Sequence, residues 1–276
     1  MGKLNHYQQA MLDAALRYAE HGRAVLPVTR SKKPINANGS RGATTDLQQI
    51  TAWWEAHPTA QIGIATGSIS GIWVVDVDMK NGKDGLQALK KEFGDEFIWE
   101  EETLIQKTST GGFHFVFAWD DARPVHNTQD VLGGVDIRGD GGFIVAAPSS
   151  FNVEGEWITY RWNDAEYLPI EAPEWAWTLT EKAQESRSRP VDLNSALSGI
   201  PHGSRDNDLF RVACMLRSRD VSQATATTFI EILAERCHPP FDPMDAREKV
   251  ESAYSRYEVA QGENISEKIK RERETA

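Results

Sequence analysis

From residue 7 the apolar positions Met11, Leu12, Ala15, Leu16 and Ala19 recur at intervals of three and four, the period of one helix face. They predict a helix from Tyr7 to Glu20, stopped by His21-Gly22. The pattern then shortens. Ala24–Val28 and Gln61–Thr66 read as strands, separated by a Gly/Asn-rich loop and a helix from Thr45-Asp46 through Trp53-Trp54 to His57, ended by Pro58. Ile72-Trp73-Val74-Val75 is β-branched and aromatic and predicts a buried strand, and Gly85–Phe93 predicts a helix. Thr103–Thr108 and Gly112–Trp119 form a strand pair around the turn Ser109-Thr110-Gly111. Gly134–Arg138 and Gly142–Ala147 form a second pair around Gly139-Asp140-Gly141, and Trp157–Trp162 closes the series.

After Thr180 the pattern changes. The segment EKAQESRSRP is polar throughout and reads as a linker. Beyond Gly203 the period is helical again, over Asp206–Arg219, Ser222–Cys237 and Asp245–Ala260. The stripes Leu209, Val212, Ala213, Leu216 and Phe229, Ile232, Leu233 are assigned to a core. The fold class is therefore α+β: a strand-rich domain over 1–180, a linker over 181–194, an all-α bundle over 195–260 and a charged tail over 261–276.

Composition narrows the function. With 40% hydrophobic and 26% charged residues the chain is of the soluble globular type, and no window approaches a membrane span. The N-terminus reads as an amphipathic helix and not as a secretory signal. Cys214 and Cys237 cannot make a disulfide framework and form no C-x-x-C pair, so both are read as core residues in a cytoplasmic protein. No G-x-x-x-x-G-K-[ST] occurs, which excludes a P-loop ATPase. A net charge of −11 argues against a broad duplex grip. Between Gly22 and Thr45, however, Arg23, Arg30, Lys32, Lys33 and Arg41 stand without an acid, whereas Asp95–Glu102 is strongly acidic. One basic loop on an acidic chain suits a local anionic ligand, a triphosphate or a short strand.

Three stretches carry candidate chemistry. In GIWVVDVDMKNGK, strand alternation puts Asp76 and Asp78 on one face and Val75 and Val77 on the other. Two carboxylates so close repel unless a cation or a shared proton compensates, and Mg²⁺ or Mn²⁺ suits their oxygen ligands. Alternatively, Asp78 belongs to the turn and Asp76 makes a salt bridge. In KTSTGGFHFVF, Gly111 and Gly112 allow backbone amides to approach a ligand, and Ser109 and Thr110 add hydroxyls. Phe113, Phe115 and Phe117 point to the core and His114 to the opposite side. In GGVDIRGDGGFIVAAPSS, Asp136 and Arg138 share a face. They either pair with each other or divide between a metal and a phosphate, while Asp140 serves its turn.

The order D-V-D, S-T-G-G-F-H, then V-D-I-R-G-D-G-G-F-I-V-A-A-P-S resembles the bifunctional primase–polymerases of the archaeo-eukaryotic primase superfamily. The upstream P-V-T-R-S-K-K-P, T-T-D, W-W and Q-I-G-I-A-T-G fit the same family. G-S-R-D-N, C-H-P-P-F and E-K-V-E-S-A-Y-S-R-Y resemble its primase C-terminal helical domain. The resemblance reaches to about Tyr257. It implies an RRM-like catalytic sheet against a smaller α/β unit, and a template-dependent DNA primase–polymerase making primers on single-stranded DNA from dNTPs or NTPs. It further implies two Mg²⁺ or Mn²⁺ ions on Asp76, Asp78 and Asp136, with His114, Ser109, Thr110, Gly111, Gly112, Arg138 and Lys33 at the nucleotide. Arg205, Asn207 and Arg211 are candidate contacts to template or initiating nucleotide. Asp78 stands where relatives often carry Glu, a shorter arm that still ligates. Relatives often continue into a helicase domain, so a separate helicase partner and a bacterial, phage or plasmid setting are expected.

Three rivals remain. A Pol β-like nucleotidyltransferase would use Gly67-Ser68, Asp76-x-Asp78 and Asp136, with a helix starting after Gly-Ser. A D-x-D glycosyltransferase would use Mn²⁺ but leaves C-H-P-P without a role. A non-catalytic RRM-like binder needs Phe113, Phe115 and Phe117 exposed on the sheet.

Overall fold

The computed structural model describes residues 4–80, 82–97, 103–163, 168–188, 191–201 and 204–256. Part of the acidic run (98–102), residues 202–203 and the charged tail lie outside the described residues. The chain divides into two compact units, Met1–Ser188 and Arg189–Ala276. The first is mixed α and β and the second is helical.

In the first unit, α1 (His6–Glu20) starts at a capping box in which Asn5 and Gln8 exchange side-chain and backbone hydrogen bonds. Strands β1 (Val25–Val28), β2 (Gln61–Ala65) and β8 (Phe143–Ala146) form a three-stranded antiparallel sheet in the order β1-β2-β8. Helix α2 (Leu47–Ala56) is capped by Asp46 and buries Ile50 and Trp54. The larger sheet has six antiparallel strands: β3 (Ile72–Val77), β4 (Leu104–Lys107), β5 (Phe113–Ala118), β6 (Thr128–Leu132), β7 (Val135–Arg138) and β11 (Arg161–Trp162). Their order is β11-β4-β5-β3-β7-β6. Strands β9 (Ser150–Val153) and β10 (Glu156–Thr159) make a separate hairpin.

Alternation gives the six-stranded sheet two different faces. Trp73, Val75, Val77, Phe115, Phe117, Val135 and Ile137 turn one way, into a core closed by Leu89 of α3 (Gly85–Phe93) and Trp175, Ala176, Leu179 and Ala183 of α4 (Glu174–Ser188). Each such side chain contributes roughly 1.5–3 kcal/mol on burial. The opposite face supplies Ile72, Val74 and Val116 to a second core under α1, α2 and the small sheet. Farther along β3 and β7 that face becomes polar.

Two expectations change here. Residues 181–188, polar enough to read as linker, continue α4, because Ala183 is buried and Lys182 pairs with Glu92 at 2.6 Å. The segments around Gly139-Asp140-Gly141 do not pair with each other: β7 joins β3 and β8 joins β2. The chain crosses between sheets there, held by Thr66 Oγ1 donating to Gly139 O at 2.6 Å and Asp140 N donating to Val125 O at 2.7 Å.

The second unit packs α5 (Leu193–Ser198), α6 (Arg205–Ser218), α7 (Gln223–Arg236) and α8 (Pro243–Arg256) around Leu209, Val212, Ala213, Ile230, Leu233 and Val250. Ile232, expected in this core, is 41% exposed, because the buried stripe of α7 runs Ala226, Ile230, Leu233, Ala234. Cys237 is fully buried and Cys214 partly so.

Candidate active site

Register builds the polar face. Gln106 on β4 is opposite His114 on β5, His114 opposite Asp76 on β3, and Asp76 opposite Asp136 on β7. Directly opposed residues share a face, so four polar side chains form one row across four strands. Arg138 follows two residues after Asp136 on the same face, opposite Val74.

Within the row, Arg138 bridges the carboxylates. Its Nε and a terminal nitrogen donate to Asp76 Oδ2 at 3.0 and 2.9 Å, and that terminal nitrogen donates to Asp136 Oδ2 at 2.6 Å. The Asp130 amide donates to Asp136 Oδ1 at 2.7 Å, and His114 Nε2 lies 3.4 Å from Asp76 Oδ1. The environment drives the two acids apart. Burial works to raise the Asp76 carboxyl, but His114 and Arg138 together hold it well below the usual carboxylate range. Burial pushes the Asp136 carboxyl up, opposed by Arg138 and helped by the charges of Asp76 and Asp78. Burial alone would lower the Arg138 guanidinium, yet its flanking acids raise it, so it stays charged.

Opposed carboxylates require a cation, and the guanidinium supplies it. Their oxygen donors are of the hard type that suits Mg²⁺ or Mn²⁺. Asp78 stands apart. It lies beyond the last residue of β3, its amide bonded to Gly134 O at 2.8 Å and its carboxylate 3.3 Å from Lys80 Nζ. Among the described residues no three Asp, Glu, His or Cys side chains are grouped closely enough to hold an ion together.

The Ser-Thr-Gly-Gly turn closes the β4–β5 hairpin. Gly111, at φ +82°, donates its amide to Thr108 O, and the Gly112 amide donates to Thr108 Oγ1. Both amides are thus used inside the turn and not turned toward a ligand. Gly112 is required for contact: a Cβ there would sit 2.3 Å from Val77 O. Thr110 Oγ1 is 3.4 Å from Thr108 Oγ1. The Ser109 hydroxyl is buried and has no hydrogen-bond partner of ordinary geometry, although it lies close enough to the Tyr160 phenol to act on it. Asp130, whose amide serves Asp136, likewise has a buried carboxylate oxygen without a hydrogen-bond partner among the described residues.

The two neighbouring lysines of the basic loop are placed differently. Lys33 is exposed, whereas Lys32, at φ +61°, turns inward and donates to the Tyr160 hydroxyl at 2.9 Å. Burial lowers the Lys32 ammonium, while the Asp76 and Asp78 charges support it. Tyr160 and Gln106, which contact Lys32 and His114, were not singled out from the sequence. Gln106 had a signal: the turn is symmetric about Thr110, and counting back from His114 lands on it. Tyr160, far along the chain, had none.

In the helical unit, Arg205 donates to the carbonyls of Pro239 and Pro240 at 2.6 and 3.1 Å, which ties its guanidinium to the C-H-P-P loop. Asn207 and Arg211 stand four apart on α6, with Arg211 3.9 Å from Asp208. Two of the rival readings meet an observation here. Gly67 to Gly71 is a turn between β2 and β3 with no helix after Gly-Ser, and Phe115 and Phe117 are each 1% exposed.

Two family models match the chain: bifunctional DNA primase/polymerase, N-terminal, over residues 15–175, and primase C terminal 1 over residues 193–258. The chain belongs to the bifunctional DNA primase/polymerase family, and this membership supports a DNA primase–polymerase function. Among curated proteins none matches it significantly. No helix among the described residues is long and apolar enough to cross a membrane.

Proposed function

We propose that this protein is a template-dependent primase–polymerase that makes primers on single-stranded DNA by nucleotidyl transfer. The observation that carries the reading is the cross-strand row: His114, Asp76 and Asp136, with Arg138, on a polar stretch of a sheet whose central strands feed two hydrophobic cores. In the reaction a 3′-hydroxyl oxygen attacks the α-phosphorus of a nucleoside triphosphate. A P–O bond to the new nucleotide forms, the bond to pyrophosphate breaks, and the hydroxyl proton is released.

Asp76, Asp78 and Asp136 would hold two Mg²⁺ or Mn²⁺ ions, which when bound acidify the hydroxyl and offset charge on the phosphates. Arg138 would then exchange its carboxylate partners for phosphate oxygens, a bidentate match suited to guanidinium. His114 and Ser109 orient the same triphosphate, and Lys32 adds an ammonium beside it. The sheet around these residues is read as RRM-like. A single-stranded template and dNTPs or NTPs complete the reading. The test is nucleotide incorporation: Asp76→Ala should abolish extension of an annealed primer, and wild-type extension by that variant would remove Asp76 from the chemistry.

A further inference from the structure

Gln106 is completely buried, carries no charge, and stands outside every motif of the carboxylate row. Its hydrogen bonds nevertheless determine a property of His114. The Ala147 amide donates to one end of the Gln106 side chain at 2.7 Å. A backbone N–H can only donate, so that end is the carbonyl oxygen and the amide has a single orientation. The other end, Nε2, donates to Val145 O at 2.8 Å and lies 2.7 Å from His114 Nδ1. An amide nitrogen has no lone pair to offer, so Nδ1 must accept. A neutral imidazole carries one donor and one acceptor nitrogen. Its proton therefore sits on Nε2, the atom that faces Asp76 Oδ1. A proton on Nδ1 would meet an N–H directly.

We propose that Gln106 is a positioning residue that fixes His114 as the Nε2–H tautomer, so that the ring presents a donor on the carboxylate side of the sheet. The role of that donor toward a nucleotide rests on the reading given under Proposed function; the tautomer does not. Gln106 also links the two sheets, since Val145 and Ala147 lie on and just after β8 while Gln106 lies on β4. A purely structural link would affect stability without moving the imidazole proton, and this separates the two roles.

The experiment is nitrogen NMR on the full chain labelled at histidine, at a pH where the ring is neutral, with the His114 signals identified by their loss in His114→Asn. The expected wild-type pattern is protonated Nε2 and bare Nδ1. Gln106→Met, of similar length but without a donor, is expected to give a mixture of tautomers. It should also raise the dissociation constant for a dNTP about tenfold, the scale of one lost hydrogen bond to a charged group. A wild-type ring protonated at Nδ1 overturns the proposal, as does a Gln106→Met protein that keeps Nε2–H alone. If Gln106→Met fails to fold, the wild-type spectrum still decides. If the wild type binds no dNTP, the functional reading fails while the tautomer result stands.

Discussion

Arg138 holds the residue-scale argument together. With Asp76 and Asp136 opposed across β3 and β7, one guanidinium compensates two partly buried carboxylates. Removing one partner of such a cluster leaves uncompensated charge and costs about 3–5 kcal/mol. Arg138→Gln should therefore unfold at a lower temperature, and millimolar Mg²⁺ or Mn²⁺ should restore much of the loss by taking the vacated position. A melting temperature that ignores the divalent ion in this variant would separate the pair from metal binding. A second residue-scale outcome concerns the phenols. Burial pushes Tyr18 and Tyr160 each up to about 12. A raised folded value means that the folded state keeps its proton after the unfolded chain has released it near 10. The stabilisation is full below that pH and is lost as pH rises toward 12, on the order of 3 kcal/mol for each phenol. Absorbance titration should show Tyr18 and Tyr160 ionising late, together with a fall in stability; ionisation of every tyrosine near 10 would contradict the buried environment. Asp76, Asp136 and His114 were legible as the polar side of their own strands because alternation sets them opposite apolar neighbours, while register across the strands was not. Lys32 was not, because choosing between neighbouring lysines depends on a positive φ that no local pattern announces.

At the scale of elements, hydrophobic period located most helices and strands but could not assign partners. Gly134–Arg138 and Gly142–Ala147 look like a hairpin in sequence. The contacts of Thr66 and Val125 with the Gly139–Gly142 segment instead send the second strand into the small sheet. Such long-range bonds have no sequence period. Helix α4 shows the complementary error: over residues 181–185 only Ala183 is buried, yet it and the Lys182–Glu92 pair tie the segment to the first unit. A chain ending at Thr180 is expected to be less stable than one ending at Ser188. The loss would be a few kcal/mol, the scale of truncating buried apolar contacts, read as a lower denaturant midpoint. Equal midpoints would return residues 181–188 to the linker.

At the scale of the whole molecule, two compact units coincide with two family matches, 15–175 within the first and 193–258 within the second. The net charge of −11 is set against one acid-free basic stretch, residues 22–45, in the first unit. The central claim is that this row supports primer synthesis. The most direct measurement is incorporation of labelled dNTPs or NTPs on single-stranded DNA without a primer, in Mg²⁺ or Mn²⁺, beside an Asp76→Ala/Asp78→Ala control. Short template-dependent products from the wild type and none from the control are the expected result. No incorporation by the wild type, with or without an annealed primer, would contradict it.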